Sequence, residues 1–109
     1  MQMNHYQQSA VETAVFKDKD KYYYTTLGLC NEAGEVAGKV KKVYRDFNGN
    51  FSDTRIKNDL AKEIGDVLWY LAVLCSTLGL KLDDVARMNI EKLASRKQRN
   101  LIHGNGDNR

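Results

Sequence analysis

The chain has 109 residues, no proline and two cysteines, with 42% hydrophobic and 28% charged residues and a net charge of +3. This length suits one small domain, and the lack of proline suits long uninterrupted helices. The polar first ten residues do not resemble a signal peptide, and the longest apolar run, residues 67–75, is too short to span a bilayer. We therefore predict a cytoplasmic protein in which Cys30 and Cys75 are reduced thiols in the core.

The first two predicted helices differ in the strength of their apolar pattern. The first, residues 4–16, carries a weak apolar stripe, and the charged stretch 17–21 breaks it. The second, residues 25–44, carries apolar side chains at intervals of three and four, which is typical of a helix packed on one side. The stretch 48–50, Asn-Gly-Asn, then predicts a turn.

The third predicted helix follows this turn. It begins at Ser52 or Asp53, which are both favourable N-cap residues, and continues to about Leu78. Its apolar side chains also recur at the helical period. Gly79 directly after it is the predicted C-cap, because glycine adopts the left-handed conformation that commonly ends a helix.

The fourth predicted helix begins at Asp83 or Asp84 and ends near Asn100. Residues 103–109 contain two glycines and two asparagines, and we expect them to form an irregular tail. We find no strand pattern, internal repeat or second domain. The sequence therefore predicts an all-α, four-helix single domain over residues 1–109.

Two acidic pairs of equal spacing lie in the second and third helices. Glu32 and Glu35 form a Glu-x-x-Glu, and Glu63 and Asp66 form a Glu-x-x-Asp. At about 100° per residue, the two acids of each pair lie about 60° and 120° from the apolar stripe of their helix, on the same side. If the two stripes pack together, the four carboxylates line the edge of one groove.

Four neighbouring carboxylates repel one another, so such a groove favours a bound cation. Oxygen ligands suit hard divalent cations, which indicates Mg²⁺, with Mn²⁺ as a substitute. Gly34 and Gly65 lie inside the two motifs, where they would allow a ligand to approach closely, although tight helix packing explains them equally well. The alternative for the acids is a solvated helix shoulder, on which Glu35 pairs with Lys39.

The two motifs in this setting resemble those of the MazG-type all-α nucleoside triphosphate pyrophosphohydrolases. The similar stretches are LCNEAGEV at residues 29–36 and KEIGDVL at residues 62–68. The resemblance covers residues 25–78 and, less specifically, the chain through residue 109. It implies cleavage of a nucleoside triphosphate between its α and β phosphates, which gives a monophosphate and pyrophosphate. It also implies a catalytic Mg²⁺ site formed by Glu32, Glu35, Glu63 and Asp66.

One position departs from the family pattern. Asn31 stands where many members carry a further acid directly before the first motif glutamate. An amide can orient a water molecule or a phosphate, but it does not accept a proton as a base. Activation of the attacking water would therefore depend on the metal site or on one of the four remaining acids.

Positive charge is concentrated late in the chain, where residues 87–109 include six basic and two acidic side chains. Lysine and arginine bind the phosphate oxygens that metal ions do not reach. For each single residue, a solvated surface position is an equally good interpretation. The predicted phosphate or sugar ligands are Lys39, Asn89, Lys92, Arg96 and Arg109.

The leading interpretation is a Mg²⁺-dependent nucleotide pyrophosphohydrolase that acts on nucleoside triphosphates. Because the chain is short for a deep nucleotide pocket, we expect a homodimer or dimer of dimers in which a second subunit completes the site. The main alternative is a non-enzymatic helical module that binds nucleic acid or a protein partner through its basic fourth helix. A further alternative retains the metal in a structural role.

Overall fold

A computed structural model describes residues 1–109 and confirms the all-α prediction. It contains four α-helices, one short 3₁₀ turn and no strand. The helices are α1 (Met3–Glu12), α2 (Lys21–Phe47), α3 (Thr54–Thr77) and α4 (Leu82–Gln98), and the 3₁₀ turn is Asp18–Asp20.

The connection between α1 and α2 differs from the prediction. Helix α1 ends at Glu12 and not near residue 16, while α2 begins at Lys21 and not near residue 25. Thr13 follows the end of α1, where its hydroxyl accepts a hydrogen bond of 2.8 Å from the Trp69 indole N–H on α3. Within the charged stretch, residues 18–20 form the 3₁₀ turn, and Asp20 is the N-cap of α2, a position where negative charge is favourable.

The predicted turn and N-cap at the start of α3 are present. Asn48 and Gly49 adopt φ values of 53° and 73°, so the chain reverses in the left-handed region that these two residue types tolerate best. The Asp53 carboxylate accepts a hydrogen bond of 2.9 Å from the Arg55 backbone N–H and caps the helix. The C-cap of α3 is Leu78 and not the predicted Gly79, which follows it directly with a φ of 72° in the left-handed conformation.

Helix α3 is the centre of the arrangement. Helix α2 packs along its length, α1 packs against another side of it, and α4 contacts α1 and α3 but not α2. The buried apolar cluster lies between α1, α3 and the start of α4, and consists of Ala10, Ala72, Val73, Cys75 and Leu82. Cys75 is in this core as predicted, whereas the same prediction for Cys30 is wrong because Cys30 is exposed on α2.

The single chain buries little of its apolar surface. Nine of the 109 residues are buried, and the radius of gyration is 16.8 Å, compared with about 13 Å for a compact chain of about 100 residues. Four large, exposed side chains form a row along α3 and its C-cap, which we call the α3 stripe: Ile64, Leu68, Leu71 and Leu78.

None of the four helices is by itself long and apolar enough to cross a membrane. Only α3 and α4 taken together have the necessary length and composition, and they form a pair bent by 104°. Such a pair is weak evidence, because the core helices of soluble proteins have the same properties.

Candidate metal centre

Three of the four motif acids converge between α2 and α3. One carboxylate oxygen from each of Glu32, Glu63 and Asp66 lies within 4.8 Å of the other two. Glu32 comes from α2, while Glu63 and Asp66 lie one turn apart on α3, so the antiparallel packing of the two helices brings them together. Glu32 and Glu63 are half-buried and Asp66 is exposed, which leaves the group open to solvent on one side.

Repulsion inside this group affects Glu32 most clearly. Burial raises the pKa of the Glu32 carboxyl above its ordinary value, and the negative charges of Asp66, Glu63 and Glu35 raise it further. A hydrogen bond between the carboxyl groups of Glu32 and Glu63 acts in the same direction. The residues therefore fit a divalent cation, because its charge would offset the repulsion and its preferred ligands are carboxylate oxygens.

The fourth motif acid, Glu35, occupies a different position from the other three. It is exposed on α2 and lies outside the group of converging oxygens, although its charge is close enough to raise the pKa of Glu32. The helical wheel already places Glu35 farther from the apolar stripe than Glu32. Glu35 therefore contributes charge to the acidic group but not one of its converging oxygens.

Lys39 lies at the same site. Its ammonium nitrogen is 3.5 Å from the Glu63 carboxylate, so the lysine links α2 to α3. The sequence alternative of a pair within α2, between Glu35 and Lys39, is not what the structure contains. Lys39 thus offsets part of the negative charge of the acidic group and places one cation beside it.

The glycines inside the two motifs have open space around them. A Cβ atom built on Gly34 or Gly65 would meet nothing within 4 Å. Tight packing against another helix of the same chain therefore does not explain these glycines. Asn31, the position that departs from the family pattern, is also exposed on α2 beside Glu32.

An aromatic cluster borders the acids. The Tyr70 ring lies over Gly28, where a Cβ atom would collide with Tyr70 Cε1. Burial raises the pKa of Tyr70, as do a hydrogen bond with Tyr24 and the nearby charges of Glu32 and Asp66. The sequence signal for this contact was Gly28, because only glycine leaves room for the ring on that face of α2.

The predicted ligands on α4 form a second, separate cluster. Arg96 is buried, and its Nη2 donates a hydrogen bond of 2.8 Å to the Asp107 carbonyl oxygen. The Lys92 ammonium lies 3.2 Å from the Asp107 carboxylate. Asn89 is exposed in an open groove beside Met88. No hydrogen bond or ion pair joins this cluster to the acids of α2 and α3.

Arg109 also binds within its own part of the chain. Its Nε donates a hydrogen bond of 3.0 Å to the Leu101 carbonyl oxygen, and its Nη2 donates one of 2.9 Å to that of Ile102. The irregular tail predicted for residues 103–109 is present, and the hydrogen bonds of Arg109 hold it in place. The structure thus brings Lys39 to the acidic group and places the other four predicted ligands elsewhere.

The chain belongs to the MazG nucleotide pyrophosphohydrolase domain family, whose model matches residues 22–100. The Gene 37 protein of Mycobacterium phage L5 is 44% identical over 115 aligned residues, which cover all of both chains. The uncharacterized protein YvdC of Bacillus subtilis (strain 168) is 36% identical over 72 residues, which cover 62% of this chain and 68% of YvdC. No solved structure gave a significant match. The family match includes both acidic motifs and all of α4.

Proposed function

We propose that this protein is a Mg²⁺-dependent hydrolase that cleaves nucleoside triphosphates between the α and β phosphates, giving a nucleoside monophosphate and pyrophosphate. The observation that carries this proposal is the convergence of Glu32, Glu63 and Asp66 from two helices. Membership of the nucleotide pyrophosphohydrolase family supports the reaction type. In the proposal, Glu32, Glu35, Glu63 and Asp66 are the catalytic metal ligands.

The side chains at the site suit this chemistry. A bound divalent cation neutralises charge on phosphate oxygens and increases the acidity of a water molecule. Glu32, Glu63 and Asp66 would hold the cation, with Glu35 as the proposed fourth ligand. Because Asn31 has no basic group, one of these carboxylates takes the proton of the attacking water.

Two further groups beside the acids would act on the substrate. Lys39 is half-exposed next to Glu63, so its ammonium group can exchange a carboxylate partner for a phosphate oxygen. The open space at Gly34 and Gly65 leaves room for the triphosphate along the two helices. Asn89, Lys92, Arg96 and Arg109 remain candidate phosphate or sugar ligands, and use of the last three requires the tail to change its contacts.

A product assay tests the proposal. We expect each active nucleoside triphosphate, incubated with Mg²⁺, to yield pyrophosphate and a monophosphate, and chelation of the metal to stop the reaction. Glu63→Gln should lower turnover by orders of magnitude with unchanged helical content, because this side chain holds the metal and not the core. The matched control is Asp59→Asn, an acid one turn earlier on α3 that pairs with Lys62.

The outcomes of this assay are distinct. Release of free phosphate and a nucleoside diphosphate would place the cut at the β–γ bond and reject the proposed reaction. Equal activity of the Glu63→Gln and Asp59→Asn proteins would show that the acidic group takes no part in catalysis. Pyrophosphate release that is lost only in the Glu63→Gln protein is the expected result.

We also propose that the protein is a homo-oligomer in which a second copy covers the α3 stripe. Leu68 and Leu71 belong to this stripe, and Ile64 at its start is 56% exposed in the single chain. Ile64 directly follows Glu63, so a copy packed on the stripe would also border the acidic group. Full burial of an exposed isoleucine or leucine contributes about 1.5–3 kcal/mol, and burial of the exposed part of these side chains would contribute a share of this that favours association.

The binding-module alternative finds less support in the arrangement of α4. A nucleic-acid surface requires cations free to meet phosphates. Here Arg87 pairs with Asp83 at 2.6 Å, and Lys92 and Arg96 pair with Asp107, so a nucleic acid would have to displace these carboxylates before it could bind. A gel shift with DNA and RNA at low and high salt compares the two interpretations, and the hydrolase proposal predicts no salt-sensitive retardation.

A further inference from the structure

Residues 101–109 fold into a closed loop against α4, and we call this loop the 101–109 segment. Arg109 lies at its centre, where the guanidinium group donates hydrogen bonds to the carbonyl oxygens of Leu101, Ile102 and Gly106. Arg99 donates a hydrogen bond of 2.8 Å to the backbone oxygen of Arg109 and closes the loop onto the end of the helix. The segment is therefore ordered by a small number of polar contacts, without an apolar core of its own.

Arg96 is the residue that this segment covers. Its side chain is only 6% exposed, and its Nη2 is bonded to the carbonyl oxygens of Gly106 and Asp107. Its Nε is buried and has no hydrogen-bond partner. An arginine withdrawn from water with an unused donor is costly, so the contacts that the segment offers to this guanidinium group are incomplete.

Positive charge also exceeds negative charge around Asp107. The Asp107 carboxylate lies 3.2 Å from the Lys92 nitrogen and 3.4 Å from Arg96 Nη2, so one negative charge faces two positive ones. Lys92 and Arg96 hold the pKa of Asp107 below its ordinary value. The Asp107 carboxylate is itself 83% exposed, so solvent screens its attraction for both cations.

An anion with more charge and more acceptor oxygens would match the two cations better than this carboxylate does. A polyphosphate carries several negative charges and has oxygens for Lys92, for Arg96 Nη2 and for the unused Nε donor. It can reach Arg96 only after the 101–109 segment has moved, because the segment buries that side chain. Binding of such an anion and the closed segment are therefore mutually exclusive.

We propose that the 101–109 segment is an internal competitor, whose Asp107 occupies the Lys92–Arg96 cation pair until a polyphosphate displaces it. The inference rests on the proposed function for the identity of the anion, a nucleotide triphosphate chain. It adds a regulatory property to the Lys92–Arg96 cation pair on α4, which is separate from the acidic group. The closed segment lowers the apparent affinity for the anion, since the segment must open first.

Binding of inorganic tripolyphosphate to the metal-free protein tests this proposal by calorimetry, without any need for hydrolysis. Asp107→Asn keeps the size of the side chain and removes the competing charge, so we expect it to tighten tripolyphosphate binding about fivefold. This increase in tripolyphosphate affinity should vanish in the double variant that carries both Asp107→Asn and Lys92→Ala. The matched control is Asp46→Asn, which removes a charge that pairs only with Arg45.

A second measurement uses the unmodified protein. Nuclear magnetic resonance of the backbone amides should show Gly104 and Gly106 leaving their folded environment as tripolyphosphate saturates the protein. Amides that stay unchanged at saturation would overturn the proposal, as would an Asp107→Asn protein that binds tripolyphosphate no better than the unmodified one. Because neither measurement uses metal or turnover, its failure is distinguishable from failure of the pyrophosphate-release assay.

Discussion

At the scale of single residues, Glu32 shows how the demands of folding and of ligand binding conflict. Its carboxyl is half-buried between α2 and α3, beside Glu63 and Asp66. Neither neighbour stabilises its ionised form, and Lys39 pairs with Glu63. The protein therefore keeps a charge in an unfavourable place, which is typical of a position selected for binding.

Glu32→Gln should raise the stability of the metal-free protein at neutral pH, because it removes the charge that the neighbouring acids repel. The raised pKa of Glu32 means that the folded state binds its proton more tightly than the unfolded state. The free energy of unfolding should thus fall as the pH rises from the ordinary glutamate pKa through the raised folded one. Thermal unfolding over this pH window, for Glu32→Gln and the unmodified protein, measures the difference.

Added metal should stabilise the unmodified protein more than the Glu32→Gln protein, which is the reverse of their expected order without metal. Mn²⁺ or Mg²⁺ should raise the unfolding temperature of the unmodified protein, since a ligand bound only to the folded state stabilises it. Glu32→Gln should lose most of this increase, while Asp59→Asn should keep it. A metal-dependent increase of equal size in both variants would contradict the assignment of Glu32 as a ligand.

At the scale of the elements, one buried side chain joins three helices. Gln7 on α1 donates hydrogen bonds of 2.9 Å to Ser76 Oγ and to the Leu80 carbonyl oxygen. It also accepts one of 2.8 Å from the Leu82 backbone N–H, the first residue of α4. Because the turn between α3 and α4 is short, this amide satisfies backbone groups that the turn itself leaves unpaired.

Gln7→Met should destabilise the fold by about 2–4 kcal/mol, because it keeps the side-chain volume but leaves the buried Leu82 N–H and nearby acceptors without partners. Chemical denaturation followed by circular dichroism measures this change. The control is Gln8→Met, since Gln8 is exposed on the same helix. If both variants unfold at the same denaturant concentration, the Gln7 hydrogen bonds contribute no net stability.

At the scale of the whole molecule, the single chain is a set of helices with an incomplete core. The α3 stripe runs at intervals of three, four and seven residues, which keeps it on one side of the helix. Neither α1 nor α2 covers it, and Leu78 at its end is 52% exposed. A second copy that presents the same stripe would bury both rows at once.

Replacement of Ile64 and Leu71 together by glutamine should convert the proposed homo-oligomer to a monomer. Both side chains are more than a third exposed in the single chain, so the monomer loses little packing energy. Analytical ultracentrifugation measures the mass of each species. Val15→Gln is the control, because Val15 is 92% exposed and lies outside the stripe. A monomeric unmodified protein would refute the homo-oligomer proposal.

The parts of the fold that the sequence predicted are those that depend on near neighbours along the chain. The helical period over residues 25–44 and 53–78, the turn at 48–50 and the Asp53 cap each involve residues within about four positions of one another. Such signals act through backbone hydrogen bonds and local sterics. The prediction failed between α1 and α2, where the Trp69 contact with Thr13 helps to define the end of α1 from a distant part of the chain.

The sequence by itself determined that the chain is all-α and that each acidic pair lies on one face of its helix. Only the tertiary structure decided that Glu32, Glu63 and Asp66 converge while Glu35 stays outside. It also decided that Lys39 pairs with Glu63 and that the 101–109 segment buries Arg96. The physical reason is that period and capping are local, whereas these contacts depend on how whole helices rotate and pack against each other.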